Sequence, residues 1–136
     1  MMDNDRSKAK FGCNRCWPSS AEDAWEARGQ LKLEEDLVDE SHYRVMILTC
    51  PACAQRFISI FSEKIDWADG DDPQYWTVMP LTQQEVAELG CRRGLLSEGE
   101  LISLAPGRRS LQRDYPKGAD KPSVFWATGI FFPAHD

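Results

Sequence analysis

The apolar positions of this chain change period several times, and each change marks an element. Tyr43-Arg44-Val45-Met46-Ile47-Leu48-Thr49 is rich in β-branched and apolar residues, the composition of a strand. Arg56-Phe57-Ile58-Ser59-Ile60-Phe61-Ser62 follows with the same character, and the pattern extends the predicted strand over 55–67. Asp69-Gly70-Asp71-Asp72-Pro73 is turn chemistry, because glycine tolerates positive φ and aspartate side chains bond nearby backbone amides. Gln74-Tyr75-Trp76-Thr77-Val78-Met79 then predicts a third strand, which gives an antiparallel meander. Val124 to Phe132 is apolar enough to predict a last strand over 123–132 that joins the sheet, with Pro133 stopping it.

Helix starts punctuate the rest. Ser20, with Asp23 three positions on, resembles a capping box and opens a short helix from Ala21 to Ala27 that Gly29 ends. Thr82 with Glu85, flanked by Leu81 and Val86, has the capping box and staple together; Gly90 is the expected stop. Ser97 with Glu100, flanked by Leu96 and Leu101, repeats the arrangement, with Pro106-Gly107 as its stop. Such short helices need packing to persist, and the sheet face is where they find it. Leu31, Leu33 and Leu37 fit neither the helical nor the strand period, so 31–37 reads as irregular or a weak strand. Residues 106–121 read as a basic loop rich in Gly and Pro, and 1–10 as a loose polar lead-in to one domain over 11–136. The fold class is therefore α+β, a small antiparallel sheet with two or three short helices.

Two cysteine pairs add chemistry to this outline. Cys13-Asn14-Arg15-Cys16 precedes the first helix, and Cys50-Pro51-Ala52-Cys53 joins the first two strands. Four thiolates in two C-x₂-C pairs can hold one tetrahedral Zn²⁺. Thirty-three residues separate Cys16 from Cys50, against roughly 15–20 in compact sites; closure entropy grows only logarithmically, so the insertion is cheap. Gly12 gives the first knuckle its freedom, and Trp17 is placed to shield one side of the ion. The stretch from Cys13 to about Met79 resembles the zinc-ribbon families, which carry Cys-Pro-x-Cys followed by Gly; Ala54 stands where that Gly would be. The resemblance implies a structural zinc held by Cys13, Cys16, Cys50 and Cys53, and no particular activity.

Other chemistries fit poorly. A four-cysteine shell leaves no open position for a catalytic water. The deaminase signature needs His-x-Glu and Pro-Cys-x-x-Cys, whereas this chain has His42-Tyr43-Arg44 and its proline after Cys50. A redox pair at Cys50 and Cys53 would want a helix N-terminus, and a strand follows instead. Asp66, Asp69, Asp71 and Asp72 lack the spacing of a calcium loop; they read as a solvated turn or, flanked by Trp67, Tyr75 and Trp76, a partner-binding edge. His42 and His135 stand alone, and Cys91 beside Arg92 and Arg93 reads as a buried, inert thiol. No Gly-rich phosphate loop is present. The chain is expected not to be an enzyme.

Charge bears on partners. Sixteen basic against 22 acidic residues leave a formal net charge of −6, which disfavours general nucleic-acid binding. Eight acids crowd residues 20–42, while Arg108, Arg109, Arg113, Lys117 and Lys121 crowd 106–121. The basic segment either touches phosphates or neutralises the acidic stretch. No apolar run approaches the roughly 18 residues of a membrane span, and the polar start lacks a leader's apolar region. A reducing cytoplasm is the expected compartment, where paired cysteines favour metal over disulfides. The first functional reading is a non-catalytic interaction module for another protein, regulatory or inhibitory; the second is a nucleic-acid-binding ribbon using the basic segment.

Overall fold

The computed structural model describes residues 10–132. Their order is α1 (Ala21–Arg28), β1 (Lys32–Glu40), β2 (Tyr43–Thr49), β3 (Arg56–Glu63), β4 (Gln74–Leu81), α2 (Gln83–Cys91), α3 (Glu98–Ile102), β5 (Arg109–Tyr115) and β6 (Ser123–Thr128). The six strands form one open antiparallel sheet in sequence order, β1 to β6. No helix among the described residues is long and apolar enough to cross a membrane. Residues 1–9, Pro133 and His135 lie outside the described residues.

Period-2 alternation divides the sheet's side chains between two cores. Tyr43, Val45, Ile47, Ile58, Ile60 and Met79 point to one face, where Leu89 of α2 and Leu101 of α3 cover them. Phe57, Val78 and Leu111 point to the other, against Ala21 and Ala24 of α1 and the buried Cys16 and Cys50. The helix caps form as the sequence predicts. Thr82 accepts from the Glu85 N–H and Ser97 from the Glu100 N–H, with both glutamates reaching back. Ser20 accepts from the Asp23 N–H at 3.3 Å.

The structure corrects several expectations. Residues 32–40 are a nine-residue strand, β1. Two register irregularities, between Leu33 and Glu35 and between Asp36 and Val38, break its alternation, which is why its leucines fit no period. Within the basic segment, Arg109–Tyr115 is a strand, β5, paired on both sides, while 106–108 and 116–121 remain turns and bends. The second strand ends at Glu63, short of the predicted 67. The last strand ends at Thr128, because Gly129 takes φ +70° and turns the chain. Ile130 and Phe132 thereby return over the face that α2 and α3 cover. Thr77 and Ser110 hold this return through hydroxyl contacts to the carbonyls of Phe131 and Gly129. Helix α2 runs to Cys91, one residue past the expected stop at Gly90. Helix α3 ends at Ile102, well before Pro106.

Arg108 is anchored rather than free. Its guanidinium donates to both Glu85 carboxylate oxygens, at 2.6 and 3.1 Å, and to the Pro80 carbonyl at 3.0 Å. It also lies 4.6 Å from the Phe11 ring centroid. Burial would raise the Glu85 carboxyl, but hydrogen bonds from Arg108 and the Thr82 N–H hold it below the usual range. The stability this carboxylate adds is therefore complete above the ordinary carboxylate range and is lost as pH falls through its depressed value. Arg108→Ala is expected to cost about 2–3 kcal/mol in urea unfolding, since it strips a mostly buried carboxylate of charged hydrogen bonds. The variant should also lose less stability than the parent between neutral and acid pH.

Candidate metal centre

The two knuckles reach one point by different local means. Cys50–Cys53 is the tip of the β2–β3 hairpin. There the Cys50 N–H donates to the Gln55 carbonyl, and the Ala54 N–H donates to the Cys50 carbonyl, both at 2.9 Å. Ala54 adopts φ +67°, so alanine here accepts the left-handed geometry for which glycine is the usual choice. Ala54→Gly is expected to raise stability by about 0.5–1 kcal/mol in zinc-loaded protein, by relieving that conformation. Equal or lower stability in chemical denaturation would contradict it. In the other knuckle the Trp17 N–H closes on the Cys13 carbonyl at 2.8 Å. Gly12 has φ +70°, and a Cβ there would lie 2.9 Å from Cys16 Sγ and 2.8 Å from Trp17 Cβ. Its lack of a side chain is thus required twice, for backbone conformation and for space.

Cys13, Cys16, Cys50 and Cys53 come together with all four sulfurs within 4.8 Å of one another. The Cys13–Cys16 and Cys16–Cys53 separations are 3.7 Å, and Cys13–Cys50 is 3.9 Å. A tetrahedron with Zn–S bonds near 2.3 Å has edges of about 3.8 Å. A disulfide would need about 2.0 Å, and all four cysteines are free. The donor set therefore fits a tetrahedral thiolate-bound ion. Two amides already aim at the sulfurs, Cys13 N–H at Cys16 Sγ (3.2 Å) and Ala52 N–H at Cys50 Sγ (3.4 Å). Such bonds orient and tune thiolate ligands from outside the shell.

The thiols are not equivalent. Hydrogen bonds from the Cys16 backbone and then the Arg15 backbone lower Cys13 to about 7. Burial pushes Cys16 upward, and it raises Cys53 as well. Cys13 therefore gives up its proton to an ion more readily than Cys16 or Cys53.

Trp17 packs 5.3 Å from the Phe57 ring and 4.9 Å from Trp126, against the core that includes Cys16 and Cys50. Gln55 is a residue that sequence reasoning missed. It accepts from the Gly12 N–H at 2.9 Å and donates to the Arg56 and Leu81 carbonyls at 2.8 Å each. It stitches the first knuckle to the hairpin and to the end of β4 without metal. Only its place two residues after Cys53 hinted at this.

The remaining candidates lie elsewhere and apart. His42 contacts Glu63 at 3.1 Å and is not in the sulfur cluster. Arg108 is held by Glu85, while Arg109 stacks 3.8 Å from the centroid of the Trp126 ring. Arg113 lies 4.9 Å from the Trp25 centroid. Lys117 pairs with Asp66 at 3.0 Å and Asp69 at 2.9 Å, so one lysine neutralises part of the acidic turn. Lys121 is exposed. The acidic turn is knitted inward: Asp66 accepts from the Ala68 and Asp69 N–H groups, Asp72 from the Asp66 N–H, and Asp71 from Gly118. The acids of β1 are met by Arg44, Arg56 and Arg93, none from the basic segment. Cys91 is exposed, contrary to the expectation of a buried thiol. No family model, no curated protein and no solved structure matches this chain.

Proposed function

We propose that this chain is a non-catalytic binding module, stapled by a structural zinc ion, that pairs with an extended segment of another protein along β6. Four cysteine sulfurs at tetrahedral spacing favour Zn²⁺ among common ions, and a filled shell leaves no place for a reacting water. The zinc-ribbon likeness belongs to this reading: a Cys-Pro-x-Cys hairpin tip clamped to a second knuckle. The partner reading is carried by the contrast between the sheet's two edges. β1 carries Glu34, Glu35, Asp36, Asp39 and Glu40 and two register irregularities, the devices that keep an edge from pairing. β6, Ser123–Thr128, has no charged residue, no proline and an unbroken register with β5, and Phe125 is 41% exposed. An unguarded edge of this kind accepts a strand through main-chain hydrogen bonds. The acidic balance of the chain favours a segment with basic flanks. Nucleic-acid binding through 106–121 is less favoured, because Arg108 and Lys117 are committed to carboxylates.

The test compares zinc-loaded protein with Phe125→Lys, which guards the edge, and Leu33→Lys, which alters the opposite edge. A protein captured from native lysate by the parent and by Leu33→Lys, but not by Phe125→Lys, is the expected result. A concentration-dependent dimer lost in Phe125→Lys would make a second copy the occupant. Capture that is indifferent to Phe125, or that vanishes with nuclease, would overturn the reading.

A further inference from the structure

The face of the sheet that α1 crosses carries a second feature. Strand register sets Arg44, Phe61, Trp76 and Arg113 side by side across β2, β3, β4 and β5. Above this row, α1 adds Trp25 and Arg28. The Trp25 and Trp76 rings meet edge-on at 5.6 Å, and Phe61 lies 4.5 Å from Trp76. The Arg28 guanidinium carbon is 4.6 Å from the Trp76 centroid and 5.3 Å from that of Trp25, and Arg113 is 4.9 Å from the same Trp25 centroid. Arg28 Nε and Nη2 both donate to Ser59 Oγ, at 3.2 and 2.9 Å.

What sets Arg28 and Arg113 apart is that, among the described residues, no carboxylate lies within ion-pair distance of either. Arg44, Arg56, Arg92, Arg93 and Arg108 each meet an acidic side chain. Arg28 and Arg113 meet none among the described residues, in a chain with 22 acids and 16 bases. Arg44 brings its own partner, Asp36, at 3.0 Å. Two guanidiniums sharing one indole lie within about 10 Å of each other and repel. Burial, then Arg113 and then Arg44, lower Arg28 to about 10, which leaves it cationic at neutral pH. Stacking on tryptophan offsets only part of the cost of half-burying such a charge. Segregating like charges on one aromatic face makes physical sense if an anion completes it.

We propose that the Arg28–Arg113 pair on the α1 face is a binding site for a phosphate-class oxyanion, which accepts from Arg113 and from the Arg28 N–H groups not engaged with Ser59, beside Trp25 and Trp76. A planar, multi-donor guanidinium suits a tetrahedral oxyanion better than a carboxylate-starved core suits a guanidinium. The phosphate can belong to a small molecule or to a single strand whose bases meet nearby aromatic rings.

Zinc-loaded full-length protein, titrated with inorganic phosphate at fixed ionic strength against matched chloride, tests this. Tryptophan fluorescence and Tm are followed together, and a short oligothymidylate forms the second arm. The expected result is a saturable fluorescence change and a rise in Tm, with affinity at least tenfold weaker in Arg113→Gln and partly kept in Arg113→Lys. Without phosphate, Arg113→Gln should melt at or above the parent, because it relieves repulsion. Oligothymidylate binding at least a hundredfold tighter than phosphate, with the same Arg113 dependence, would assign the phosphate to a nucleic-acid strand; comparable affinities would assign it to a small molecule. A parent response no greater than chloride, or one that Arg113→Gln leaves intact, overturns the proposal. So does Arg113→Gln melting well below the parent with no phosphate response in either, which would make the arginines packing groups only.

Discussion

Cys50→Ser, or stripping the ion with a strong chelator, is expected to loosen the segment from Cys13 through α1 while β2 to β4 survive. Metal binding by such sites contributes on the order of 10 kcal/mol toward folding at neutral pH. Here that energy joins Cys13 and Cys16 to a hairpin tip whose Cys50 lies 37 residues beyond Cys13. The core that contains Cys13, Cys16 and Cys50 also holds Trp17, Ala21, Ala24 and Trp25, so losing the ion removes one restraint on α1 and leaves its Arg28–Ser59 and Trp25–Trp76 contacts to the sheet. The opposite core, with Val45, Ile47, Ile58, Ile60, Met79 and Leu101, contains none of the four cysteines. Hydrogen exchange should therefore show lost protection over residues 13–28 and retained protection in β2 to β4, together with a lower Tm. Metal content by mass spectrometry on the same sample identifies the ion. Unchanged thermal stability after verified metal removal would falsify the structural role. Acidification should act in the same direction, since Cys16 and Cys53, both raised by burial, bind protons in competition with the ion.

Phe57→Ala is the second large effect. Phe57 is fully buried on β3, opposite Pro80 of β4 and Leu48 of β2. Its ring supports Trp17, which follows directly on Cys16. Removing a buried phenyl ring costs about 3–5 kcal/mol from lost transfer energy and the cavity left behind. In a domain of this size that is roughly 10–20 °C in Tm. Because Trp17 and the Gly12 backbone lie against the same ring, zinc affinity should fall as well, which a competition titration with a chromophoric chelator would read. Ile58→Ala, one residue along and facing the other core, serves as the contrast. It should cost about 2–5 kcal/mol and leave zinc affinity nearly unchanged. Equal losses of zinc affinity in both variants would mean that Phe57 has no special part in the metal centre.

The strands that alternate cleanly were legible from composition and period. Those over 43–49 and 74–79 stand where the pattern puts them, because both faces of the central sheet are buried and the residues are β-formers. The helix starts were legible because a cap is a local device, with Ser or Thr and its partner only three residues apart. β1 was hidden by its two irregularities, and β5 by its charges. Arg109 and Arg113 read as loop until Trp126 and Trp25 supply rings for them to lie against. The end of the last strand turned on Gly129, a single glycine in an apolar run whose left-handed φ no periodicity announces.

The sequence by itself determined the candidate ligand set and most of the local elements, since cysteine spacing, caps and period are written within a few residues of chain. The tertiary structure alone decided that Cys13 and Cys50 share one site, that Gln55 bridges the knuckles, and that Arg28 meets Arg113 over one indole. These are encounters between residues 37, 43 and 85 positions apart. Only the order and register of six strands, together with the way α1 crosses them, fix such distances.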